Sequence, residues 1–85
     1  MKIKLLYFAK LREQVGVDAE TLELGQGAWT VADLRAHLRD RGAAWSDALA
    51  EGKAVRAAVN QQMAQASTAV PDGAEVAFFP PVTGG

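Results

Sequence analysis

The chain has 85 residues, of which 49% are apolar and 22% charged, and its formal net charge is −1. A chain of this length makes one domain with one modest core, because it buries only about 60–65% of its unfolded surface. The near-neutral charge gives no electrostatic drive towards nucleic acid or an anionic membrane, and the absence of cysteine removes disulfides, thiol chemistry and thiolate metal sites.

Residues 2–9 alternate as a strand, with Ile3, Leu5 and Tyr7 on one face and Leu6 and Phe8 on the other. The stretch from Lys10 to Val15 carries long helix formers and stops at Gly16, which fits either one helical turn or a wide loop. Glu20–Leu24 alternates again and offers Leu22 and Leu24 to a core before Gly25 and Gly27 break it. Val31–Arg41 is the clearest helix. Thr30 supplies an N-cap with Asp33 three residues on, Val31, Leu34 and Leu38 make the apolar stripe, and Gly42 supplies the stop. A shorter helix is expected over Trp45–Glu51. Ala54–Asn60 and Gln62–Gln65 read as strands, and Pro71-Asp72-Gly73 marks a turn. Glu75–Phe79 is the last strand, stopped by Pro80 and Pro81, which cannot donate to a ladder.

This order of elements is that of an α+β fold, the β-grasp or ubiquitin-like arrangement. It has a mixed sheet of four to five strands, one main helix and a second short helix. In that fold class the first and last strands lie side by side. Residues 1–81 are expected to form the domain and 82–85 a flexible tail. No stretch approaches the roughly 18–20 apolar residues needed to cross a bilayer. Lys2 is followed by an alternating segment and not a long apolar one, so no signal peptide is expected. The expectation is a cytoplasmic protein.

Side-chain catalysis finds few candidates. His37 is the sole histidine, beside Leu38 on a helix, and one histidine cannot complete a metal site. Asp18, Glu20, Asp33 and Asp40 read as scattered, solvated carboxylates, not a matched acid/base pair. Gly25-Gln26-Gly27 is too short for a phosphate loop, and Trp29 and Trp45 read as packing residues. The C-terminus is different. Two prolines stiffen the exit from the last strand, and Val82-Thr83-Gly84-Gly85 follows. Residues 80–85 reach at most about 20 Å. Glycines without Cβ fit a narrow channel. The terminal carboxylate is ionised at neutral pH and becomes an electrophile only after activation, most simply by adenylation.

The run Glu75-Val76-Ala77-Phe78-Phe79-Pro80-Pro81-Val82-Thr83-Gly84-Gly85 resembles the terminal signature of the small subunit of molybdopterin synthase. Leu6-Tyr7-Phe8-Ala9, Leu11-Arg12-Glu13, Val15-Gly16, Val59-Asn60-Gln61 and Asp72-Gly73 fit the same family. The resemblance implies that the Gly85 carboxylate is adenylated by a ubiquitin-activating-like adenylyltransferase using ATP, and that a sulfur donor enzyme then converts it to a thiocarboxylate. It implies that the tail, Pro80 to Gly84, inserts into a catalytic large subunit, which passes the sulfur to cyclic pyranopterin monophosphate in a heterotetramer. The chain would bind no cofactor, metal, nucleic acid or membrane itself.

Strand parity adds a docking surface. With Ile3, Leu5, Tyr7, Val76 and Phe78 facing the helix, Leu6, Phe8 and Phe79 face outward, with Met63 at their edge. An exposed apolar patch beside a functional tail marks a partner site, and the family's partner interface uses the positions matching Phe8, Met63 and Phe79. Carriers for thiamine synthesis or tRNA thiolation, and ubiquitin-like protein modifiers, share the Gly-Gly end and remain alternatives.

Overall fold

The computed structural model describes residues 1–81. Five strands and three helices follow in the order β1 (Lys2–Tyr7), α1 (Ala9–Val15), β2 (Ala19–Glu23), α2 (Val31–Arg39), α3 (Ala43–Ala48), β3 (Arg56–Val59), β4 (Gln62–Ala64) and β5 (Glu75–Phe79). They form one sheet of order β2-β1-β5-β3-β4, in which β1 and β5 run parallel and the other neighbours antiparallel. The first and last strands are therefore adjacent, at the centre. This is the expected α+β, β-grasp arrangement.

Alternation along the strands sends one set of side chains into the core. Ile3, Leu5, Tyr7, Val76, Phe78 and Ala57 are buried together with Val31, Leu34 and Leu38 of α2. Helix α2 starts where the Thr30 hydroxyl accepts from the Asp33 backbone N–H (3.2 Å) and the Asp33 carboxylate accepts from the Thr30 N–H (3.0 Å). This reciprocal cap satisfies two of the donors that a helix start leaves free. The helix ends two residues earlier than the sequence suggests, at Arg39.

The segment after β1 is a helix of seven residues and not a loop. Its one buried residue is Leu11, so it shows no apolar stripe in the sequence. It ends at Gly16, whose φ of 82° suits glycine and whose N–H reaches the Arg12 carbonyl. Helix α3 lies at Ala43–Ala48, slightly ahead of the expected span. The segment that follows it is held from α2: the Arg35 guanidinium donates to the carbonyls of Leu49 (2.8 Å), Ala50 and Lys53 (3.1 Å). Leu24 is buried, whereas Leu22 packs only against the core's margin.

Two turns fix the register of the central strands. Asn60 and Gln61 both have positive φ (51° and 69°), giving a two-residue hairpin between β3 and β4. Ahead of β5, the Asp72 carboxylate accepts from the Lys2 N–H (2.8 Å), and the Gly73 N–H donates to the Lys2 carbonyl (2.8 Å). Asn60 clamps the start of β5 from the other side, its N–H donating to the Glu75 carbonyl (2.8 Å) and its Oδ1 accepting from the Glu75 N–H (3.0 Å). The parallel pair is thereby set with Leu6 beside Ala77 and Tyr7 beside Phe78.

Candidate functional site

The face of the sheet opposite α2 carries one row of small and apolar side chains. Cross-strand register places Ala19, Leu6, Ala77, Ala58 and Met63 side by side across all five strands. Leu6, Ala77 and Ala58 are half-buried, and Met63 is 65% exposed. Two residues beyond Leu6 and Ala77 come Phe8, just past β1 and 46% exposed, and Phe79, half-buried opposite Arg56 on β3. The outward parity expected of Leu6, Phe8 and Phe79 is observed, with Met63 at the edge. The floor between them is alanine. Sequence reasoning missed Ala58 and Ala77, since a lone alanine in a strand carries no signal until register joins it to others. At its other end the same face is charged, with Lys4 beside Glu75 and Thr21, and Lys2 beside Glu23.

The chain leaves the sheet at the apolar end. β5 finishes at Phe79, and Pro80 and Pro81 follow, both half-buried. Val82, Thr83, Gly84 and Gly85 lie outside the described residues. Pro80 borders a groove shared with α1 and α3, and Pro81 borders another shared with α2 and β4. The last central strand thus ends, and the diproline begins, at the same end of the sheet as Phe8 and Phe79.

Several polar groups elsewhere serve the fold. Glu20 is not the solvated carboxylate suggested by its sequence context. It accepts from the Tyr7 hydroxyl (2.9 Å) and from both terminal nitrogens of Arg41 (2.8 and 3.0 Å). Arg41 also lies over the Trp45 ring, 4.5 Å from its centroid, and Trp45 meets Tyr7 edge to face. The Arg41 hydrogen bonds hold the Glu20 carboxyl below its usual range, with the Tyr7 hydrogen bond acting the same way against partial burial. Burial pushes the Tyr7 hydroxyl far above its usual value, with the Glu20 hydrogen bond adding to it. His37 is exposed and contacts Trp29 edge to face at 5.5 Å, and the Trp29 indole donates to the Gly25 carbonyl (3.0 Å). Among the described residues no three histidine or carboxylate side chains converge as a metal site, and no helix is long and apolar enough to cross a membrane.

A domain that presents an apolar sheet face beside a diproline exit matches a known family model, described as the ThiS family, over residues 5–85. The chain belongs to the ThiS family. It is 48% identical over 83 residues to the molybdopterin synthase sulfur carrier subunit of Escherichia coli, covering 98% of this chain and 99% of that one. The Haemophilus influenzae subunit of the same name is 43% identical over the same shares of the two chains. Among solved structures, SAMP1 of Haloferax volcanii superposes with a TM-score of 0.75 at 26% identity, all of both chains being covered. The family resemblance drawn from the terminal run and the opening strand therefore holds across the chain.

Proposed function

We propose that this ThiS-family chain is the sulfur-carrying small subunit of a molybdopterin synthase, and that its reactive group is the Gly85 carboxylate. The observation that carries the reading is the shared edge of the sheet. β5 ends at Phe79, with Phe8 hydrogen-bonded to Phe78 beside it, so the diproline leaves the sheet at the same end as the exposed Phe8. Kinship to carrier subunits at 43–48% identity over nearly the full length supports the same client.

In this reading the carboxylate oxygen attacks the α-phosphorus of ATP on a ubiquitin-activating-like adenylyltransferase. Pyrophosphate leaves and an acyl adenylate forms. Hydrosulfide released by a donor enzyme then adds to the acyl carbon, the acyl–oxygen bond to AMP breaks, AMP departs, and Gly85 ends as a thiocarboxylate. On the large subunit the thiocarboxylate sulfur bonds to a side-chain carbon of cyclic pyranopterin monophosphate as an oxygen substituent leaves that carbon. Water then hydrolyses the acyl–sulfur bond, which leaves the sulfur on the pterin and returns Gly85 to the carboxylate. Two such cycles supply the two dithiolene sulfurs. The acid/base groups of these steps lie on the partners. Without cysteine, this chain offers no thiol to divert the sulfur. Residues 1–81 act as the handle, 80–84 as the inserting segment, and Leu6, Phe8, Met63 and Phe79 as the docking surface, in the cytoplasm.

Reconstitution tests this. The thiocarboxylated chain, mixed with its large subunit and cyclic pyranopterin monophosphate, is expected to yield molybdopterin with return of the unmodified chain. Absence of product, with a known carrier active in the same mixture, would reject the assignment. A second reading rests on the likeness to SAMP1, a small archaeal modifier protein. Higher-mass lysine conjugates of this chain in cells would favour that one.

A further inference from the structure

The charges of this nearly neutral chain are unevenly placed. The two grooves that flank the exit share the wall Ala54–Val55. Arg35, Arg39 and Arg56 line the groove bordered by Pro81, and Lys10 and Lys53 line the one bordered by Pro80. Five of the nine lysines and arginines thus surround the diproline, against one of the ten carboxylates, Glu51. Arg35 is occupied by the end of α3, and Arg39 lies 3.6 Å from Glu51. Lys10, Lys53 and Arg56 are exposed, and among the described residues none forms an ion pair. Nothing in the fold requires cations at these three positions.

Two of them also adjoin the apolar face. Arg56 is the cross-strand partner of Phe79, and Lys10 follows Phe8 by two residues. An apolar centre edged by charge is the anatomy of a protein interface. A nucleic-acid site would instead need a broad basic surface, whereas the cations here are three exposed ones beside an apolar patch. We propose that Lys10, Lys53 and Arg56 form a cationic rim that meets carboxylates at the mouth of the partner channel taking the tail, and so steers docking. This rests on the sulfur-carrier reading and adds the electrostatic character of the partner's mouth. Rim charges act mainly on the association rate and its salt dependence, while the buried apolar contacts set the dissociation rate.

The test is stopped-flow association of the full chain with its large subunit across a salt series, for the native chain and for Lys10→Gln/Lys53→Gln/Arg56→Gln. The native rate constant is expected to fall steeply with salt. The triple variant is expected to associate roughly tenfold more slowly at low salt, with a flat salt profile and a dissociation rate within about twofold. Lys2→Gln/Lys4→Gln, at the far end of the same face, serves as the control and is expected to change association less than about twofold. A complex whose association ignores salt, or equal losses in the control, would overturn the rim while leaving the carrier reading in place. Faster association after removal of residues 82–85 would assign the cations to the chain's own terminus, and a single-stranded RNA oligomer bound through the same three residues would assign them to nucleic acid. Either result overturns the proposal. No complex at any salt would remove both the proposed function and the rim.

Discussion

The two faces of the sheet are built from the same strands and do opposite work. On the closed face Tyr7, Val76 and Phe78 are at most 1% exposed and packed against α2. On the open face their immediate neighbours Leu6, Ala77 and Phe79 stay half-buried, with Phe8 and Met63 exposed beside them. Alternation with period two places both sets without extra sequence. The difference separates stability from recognition residue by residue, so substitutions one position apart should have unlike consequences.

The largest expected effect concerns neither face. Removal of Gly85 should abolish sulfur transfer while shifting the thermal unfolding midpoint by less than about 2 °C, since glycine has no side chain to bury. A large fall in the midpoint would make the terminus structural. Next comes Phe78→Ala, which removes a fully buried ring and should cost about 3–5 kcal/mol in denaturant unfolding. Its neighbour Phe79→Ala should cost under about 1.5 kcal/mol of stability yet weaken binding to the large subunit at least about tenfold, read by calorimetry. Equal stability losses at 78 and 79 would erase the distinction between the faces.

The Tyr7–Glu20–Arg41 cluster gives a smaller effect with a defined sign. The folded Glu20 carboxyl titrates below its unfolded value, so its contribution is present above the unfolded value and is lost as pH falls through the folded one. Folded Tyr7 titrates above its unfolded value, so its contribution is lost as pH rises past about 10. Glu20→Gln should cost about 1–2 kcal/mol at pH 7 and flatten the acid limb of the stability profile. The smallest effect is at the α2 cap, where Thr30→Ala should cost about 1 kcal/mol.

Much of this was legible in the sequence for identifiable reasons. Strand parity around Ile3, Leu5 and Tyr7, the Thr30 cap and the diproline stop are local signals, and each survived folding. The terminal run and the opening strand carried the family. What stayed hidden depends on long-range register. Ala58 and Ala77 become a surface only when β3, β5 and β1 are paired. Glu20 and Arg41 lie 21 residues apart and meet only once β2 and the end of α2 pack together. Lys10, Lys53 and Arg56 are ordinary surface cations until the fold gathers them around Pro80 and Pro81. Helix α1 stayed open between a single helical turn and a loop because one buried leucine makes no periodicity.

The reactive terminus can be tested on the chain itself. After incubation with its activating enzyme, ATP and a sulfur donor, fragment mass spectrometry is expected to find one oxygen exchanged for sulfur, confined to Gly85 and dependent on ATP. An unchanged terminal fragment, with a known carrier converted under the same conditions, would contradict the account.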